Sequence, residues 1–276
     1  MLTDYHLHLR PDSPGTAAAE YFTGANADCY RAVAEERGVA ELGCAEHIYR
    51  FTQALEVWQH PLWRETATDD IDDYAGFVRE HTDLKLGIEA EFIAGRADRM
   101  ATLLDARDWD FVVGSVHFVG EHAVDHDGYE IWDHRSQPPD ELWRRYFHTL
   151  GEAARTGMFD ILAHPDLVKI WGASRPVPEG DLRRFYELAM DGIAASQIAI
   201  EVSTAGLRKP VAELYPSREF LEMCVGAGCP VALSSDAHVP GDVARDYDRA
   251  LELLDAVGVR ELAVFERRER RLEPIG

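Results

Sequence analysis

The chain has 276 residues, 46% of them hydrophobic, and sets 28 Lys and Arg against 50 Asp and Glu, a formal charge of −22. That length is enough to bury a sizeable core as one domain, and so negative a surface repels nucleic-acid phosphates and anionic lipid headgroups. No apolar run approaches the roughly 18 residues that span a bilayer.

Cys29, Cys44, Cys224 and Cys229 form no Cys-x-x-Cys pair, and the chain opens on ligand-type residues rather than a signal peptide. A soluble cytoplasmic protein with reduced thiols is expected. Short β-type runs alternate with helical periodicity. Strands are expected at 2–6, 40–45, 85–90, 111–116, 159–163, 198–202 and 231–234. Helices are expected between and after them, at 16–37, 69–80, 98–106, 139–155, 179–195, 217–227 and 242–256. Gly38 and Gly157 supply helix stop signals. The alternation implies a parallel sheet, open or closed as a barrel. There is no Gly-x-Gly-x-x-Gly turn after the first strand and no Walker A motif, so the common nucleotide-binding open sheets lose support. Two long loops, 49–68 and 119–138, are candidate lids or binding loops.

Ligand-type residues cluster where the strands end. His6 and His8 close the first strand two residues apart, so both imidazoles project from one face. Glu46 and His47 follow the second strand, Glu89 the third, His117 the fourth, His164 the fifth, and Asp236 with His238 the seventh. A closed parallel barrel gathers such strand ends into one pocket, so a shared metal site is expected. His60, His81, His122, His126, His134 and His148 fall in loops or on helix surfaces, where solvation is the expected state. His122 and His126 are also placed to enter the pocket from the second long loop. Trp58, Trp63, Trp132 and Trp143 either shape a lid or pack.

The ordered motifs Asp4-x-His6-x-His8, Glu46-His47, Gly87-x-Glu89, Ser115-x-His117, His164-Pro165-Asp166 and Asp236-x-His238 resemble the polymerase and histidinol phosphatase (PHP) family. The stretch from Glu201 to Pro210 resembles its histidinol-phosphate phosphatase branch. The resemblance implies an α/β fold, a distorted (β/α)7 TIM-like barrel of the PHP type, as a single domain over 1–276. It also implies two or three divalent ions. By carry-over, His6, His8, Glu89 and Asp236 hold one ion and form the catalytic set, while Glu89, His117 and His164 hold a second. His47 and His238 serve a third, for which many relatives supply a further histidine shortly after the His-x-His pair. This chain has none there, and Asp12 or water takes its place.

Mixed imidazole and carboxylate ligands suit zinc, manganese or iron. Paired ions suit hydrolysis at phosphorus, by in-line attack of a bridging hydroxide with no protein nucleophile. Phosphate also needs cationic donors. Lys169 and Arg208 are favoured, Arg50 is a third candidate, and Ser203 is placed to donate to substrate. Asp166 reads as a helix cap. The expected partner is a small-molecule phosphomonoester, with no nucleic acid and no membrane, and no motif specifies an oligomeric state. The expected reaction is hydrolysis of L-histidinol phosphate in histidine biosynthesis. The alternatives are another phosphoester, such as a nucleotide, sugar phosphate or phosphotyrosine, or a non-catalytic PHP-like binding module.

Overall fold

The computed structural model describes residues 1–13, 15–126, 128–129, 131 and 138–276. In chain order its strands are β1 (Leu2–Asp4), β2 (Val39–Cys44), β3 (Lys85–Glu91), β4 (Phe111–Ser115), β5 (Phe118–Val119) and β6 (His122–Ala123), then β7 (Ile161–Leu162), β8 (Ala199–Ser203), β9 (Val231–Ser234), β10 (Glu261–Glu266) and β11 (Glu269–Pro274). β1, β2, β3, β4, β7, β8 and β9 lie side by side in that order, every pair parallel. The seam between β9 and β1 closes just past the strand ends, where Leu7 bridges Ala237. The buried Asp4 carboxylate ties the same seam, accepting from Ser235 N at 3.0 Å and Ala244 N at 3.2 Å. The result is a distorted (β/α)7 barrel.

Alternation along the strands explains what fills it. Val112, Leu162, Ile200, Val202, Val231 and Leu233 face outward and join the large core under the helices. Their neighbours Phe111, Val113, Ile161, Ala163, Ala199 and Ala232 face inward and form a second cluster with Tyr5. Phe111 occupies the centre because its neighbours have no side chains there. A Cβ on Gly87 would lie 2.2 Å from its ring and one on Gly43 2.5 Å. The Phe111→Ala variant leaves that volume empty and is expected to lose about 3–5 kcal/mol of stability, read by urea unfolding.

The helices meet the sequence expectations with instructive shifts. The expected helix 16–37 breaks into Ala18–Tyr21 and Gly24–Glu36. Thr23 is extended there, and its side chain accepts Asn26 N at 3.2 Å to start the second piece. Gly38 and Gly157 both adopt positive φ just past helix ends, as their stop-signal role requires. The loop 49–68 is far more ordered than expected, with 3-10 turns at Ile48–Arg50 and Thr52–Glu56 and a helix at Pro61–Thr66.

Trp58, Trp63 and Trp143 are all buried and pack; Trp132 and His134 lie outside the described residues. His60 is buried too, contrary to the expected solvation. Its Nδ1 accepts Leu62 N at 3.2 Å and its Nε2 donates to Glu121 O at 3.2 Å, so the ring serves as a neutral cap.

Two hairpins had no counterpart in the sequence reading. β5 and β6 pair antiparallel beyond β4, and β10 and β11 pair antiparallel at the C-terminus. The second hairpin plugs the barrel end opposite the histidines. Ala263, Val264 and Phe265 join the interior cluster, Phe265 N donates to the Tyr5 hydroxyl at 3.3 Å, and Asp110 O accepts Arg268 N at 2.8 Å. All four cysteines are free. Among the described residues no helix is long and apolar enough to cross a membrane.

Candidate metal centre

Above the apolar interior layer the inward-facing positions turn polar. Glu89 and Glu91 on β3 and Glu201 on β8 point into the barrel and are almost completely buried. His6 and His8 leave β1, His117 leaves β4, His164 leaves β7, and Asp236 leaves β9. Glu89 stands at the middle. Its Oε1 lies 3.5 Å from His6 Nε2, 3.5 Å from His117 Nε2 and 3.3 Å from His164 Nε2. Its Oε2 lies 3.9 Å from His8 Nε2 and pairs with His47 Nδ1. Asp236 Oδ1 is 3.4 Å from His8 Nε2 and 3.8 Å from His6 Nε2. His164 and Asp236 both have positive φ, 22° and 50°, a backbone state that costs non-glycine residues about 1–3 kcal/mol and is concentrated at functional sites.

The donor atoms converge in three overlapping groups: His6, Glu89 and His164; His6, His8 and Asp236; and His8, His47 and His238. Among the described residues, His6 Nε2, His8 Nε2 and Asp236 Oδ1 are buried without a hydrogen-bond partner. A buried polar atom left so costs about 1–3 kcal/mol, and here several face one another. Divalent cations satisfy all of them at once, so the residues present fit zinc, manganese or iron.

Two carboxylates outside these groups fix how the rings are presented. Glu201 Oε1 accepts His6 Nδ1 at 2.7 Å, and the same side chain takes His164 N at 2.5 Å and Ser234 Oγ at 2.7 Å. Glu91 accepts His117 Nδ1 at 2.7 Å and His117 N at 2.8 Å. A carboxylate that takes the Nδ1 proton leaves the Nε2 lone pair free for a cation. Burial by itself lowers the pKa of an imidazole, but the surrounding carboxylates win. Glu201, Glu89 and Asp236 hold His6 well above its usual range, Asp125 with Glu89 and Glu91 brings His117 to about 10, and Glu89 with Asp12 brings His47 to about 9. Burial pushes Glu89 up, yet His47, His6 and His117 hold it well below the usual carboxylate range.

Asp12 faces the third group. Its Oδ2 is 2.8 Å from His238 Nε2 and 3.5 Å from His47 Nε2, and its Oδ1 is gripped by Arg50. Arg50 is anchored in turn, donating to Glu46 Oε2 at 2.6 Å and Arg10 O at 2.6 Å. Glu46 Oε1 takes Leu9 N at 2.7 Å and Arg10 N at 3.1 Å. Glu46 and Arg50 thus fold the segment after the His-x-His pair so that Asp12 looks inward.

The other cations are engaged as well. Lys169 pairs with Asp166 at 2.9 Å and Glu213 at 3.2 Å. Arg208 Nη2 donates to Ser235 O at 2.6 Å, and its Nη1 is buried without a partner among the described residues. Ser203 Oγ is buried and accepts Ala205 N at 3.3 Å. Asp166 makes no helix cap; it takes Ser217 N at 2.8 Å, tying two loops together across the fold. The centre opens into a cavity of about 1460 Å³, whose wall includes Tyr49, His126, Asp125 and Tyr215. His122 instead borders a separate cavity.

No family model matches the chain. The probable histidinol-phosphatase of Deinococcus radiodurans is 31% identical over 279 residues, covering 99% of each chain. The chain belongs to the histidinol-phosphatase family. A probable histidinol-phosphatase of Schizosaccharomyces pombe is 28% identical over 203 residues, covering 68% of this chain and 64% of the other. In fold, this family member resembles the histidinol phosphate phosphatase of Lactococcus lactis subsp. lactis, crystallised with zinc, L-histidinol and phosphate. The TM-score is 0.67 over 98% of each chain, at 21% identity.

Sequence reasoning on this histidinol-phosphatase family member missed Glu91, and gave Glu201 no role although it opens the branch-specific stretch. Both left a signal. Glu91 stands two residues from Glu89 and therefore on the same face of β3. Glu201 is an acid inside the otherwise apolar run Ala199–Val202, and a carboxylate buried there requires partners.

Proposed function

We propose that the protein hydrolyses L-histidinol phosphate to L-histidinol and inorganic phosphate, a cytoplasmic step of histidine biosynthesis carried out by one barrel domain over residues 1–276. The observation that carries the reading is the convergence of ligand-type side chains from His6 to His238, several with buried donor atoms that lack a partner, on one open pocket of a histidinol-phosphatase family chain. His6, His8 and Asp236 would hold one ion, His117 and His164 a second, with Glu89 between them. His47, His238 and Asp12 would hold a third. Divalent ions so bound polarise phosphoryl oxygens and make water a nucleophile at neutral pH.

The remaining work falls to the chain. Glu201 and Glu91 keep the Nδ1 protons of His6 and His117 turned away from the reacting centre. Arg50 holds Asp12 in place rather than meeting phosphate, because both its Nη atoms are committed. Arg208 is the favoured phosphate contact, supported by its unpartnered Nη1, while Lys169, whose ammonium already meets Asp166, Glu213 and Leu214 O, would join it only by exchanging one of them. Ser203 faces its own loop, where its buried Oγ accepts Ala205 N. The reading is tested with a panel of phosphomonoesters offered to the metal-loaded protein. Histidinol phosphate is expected to lead in kcat/KM by at least about tenfold. Equal or better turnover of a nucleotide, a sugar phosphate or phosphotyrosine transfers the activity to that substrate.

A further inference from the structure

The proposed substrate presents three recognisable parts: a phosphate, an imidazole, and an ammonium on the carbon next to the ester CH2. The ammonium nitrogen is three bonds of about 1.5 Å from the ester oxygen, which leaves it about 3–4 Å away. Whatever receives it must stand beside the reacting centre, carry negative charge and have no cation of its own.

We infer that Asp125 is the residue that receives this ammonium and so sets the preference for an amine-bearing substrate, an inference that rests on the proposed activity. Asp125 follows β6 and lines the large cavity with its side chain 28% exposed. Its Oδ2 lies 3.9 Å from His117 Nε2, the ring nitrogen that faces the donor groups. It belongs to none of those groups. Among the described residues no Lys or Arg pairs with it.

Four of the other acids on the wall are already occupied. Asp12 is gripped by Arg50 and Asp69 by Arg10, while Glu89 and Asp236 sit among the imidazoles. The backbone just before Asp125 is pinned at Val124, through both its N–H and its carbonyl. Val124 N donates to His117 O at 2.8 Å, and Trp171 Nε1 donates to Val124 O at 2.8 Å. A carboxylate held that firmly loses little freedom when a ligand arrives. Its charge also reaches both walls: burial raises the pKa of the Tyr49 and Tyr215 phenols, and Asp125 adds to the rise at each. With His117 Nε2 turned to a bound cation, a partly solvated carboxylate with that placement forms a charge-assisted hydrogen bond to an ammonium without surrendering a Lys or Arg partner.

The test compares wild type and Asp125→Asn on histidinol phosphate and on the imidazolylpropyl phosphate that lacks the amine, with bound metal measured in both proteins. Wild type is expected to prefer the amine substrate. In the variant that preference falls by about 10–100-fold, chiefly through KM, while metal per chain stays at the wild-type value. An unchanged preference overturns the role, as does a loss shared equally by both substrates. A fall in metal content makes Asp125 a ligand and also overturns it. Wild-type protein that ignores histidinol phosphate refutes the proposed activity itself, and this role with it, before any variant is compared.

Discussion

Glu89→Gln is expected to lower kcat/KM on histidinol phosphate by about 10³-fold, the scale seen when one well-placed electrostatic group is removed from an active site. Among the described residues, Glu89 is the one carboxylate that reaches His6, His8, His47, His117 and His164. Glutamine preserves the volume but replaces one oxygen with an NH2 group, which cannot ligate a cation. Metal content, read by elemental analysis, is expected to fall along with turnover. A variant that keeps its metal and most of its activity would remove Glu89 from the centre of the site.

Metal-stripped protein is expected to lose stability as the pH rises from about 6.5 to 10, and metal-loaded protein to lose much less. His47 and His117 are raised from 6.5 to about 9 and about 10 by the carboxylates around them, against the opposing effect of burial. Between their unfolded and folded pKa values the folded chain keeps these protons and the unfolded chain has released them. The stabilisation is therefore complete below 6.5 and disappears as the pH passes through about 9 and about 10. For His47 alone the shift corresponds to about 3 kcal/mol as an order of magnitude. Binding a cation expels the same protons, so metal uptake releases acid and affinity weakens as the pH falls. Urea unfolding of chelator-treated and zinc-loaded samples across this range measures the difference. A stripped protein as stable at pH 10 as at 6.5 contradicts the charge arrangement described for these two histidines.

Much of the candidate site was legible because parallel barrels impose order on the chain. Each strand delivers its last residues to the same end of the barrel, so a histidine or carboxylate placed after each strand announces a shared pocket. The two-residue spacing of His6 and His8, and the position of Glu89 within β3, needed no contact map. The third site was harder. Nothing in the run from Leu9 to Ser13 says that Asp12 turns inward, since that depends on Arg50, 38 residues further along the chain and itself held by Glu46. Arg50, Lys169 and Arg208 stand out in the sequence for their place near predicted strand ends, and that position does not reveal that Arg50 and Lys169 already answer to carboxylates.

The amino-acid sequence by itself determined the alternating α/β layout, the family resemblance and the roster of potential ligands. Those depend on local periodicity and on residue types in a fixed order. Only the tertiary structure decided which nitrogens face inward, through Glu201 and Glu91, and how the far end of the barrel is sealed, through the C-terminal hairpin lodged beneath Phe111. It also placed Asp125 at the cavity wall. Each of these depends on groups brought together from distant parts of the chain, and a pairing of that kind leaves no local pattern to read.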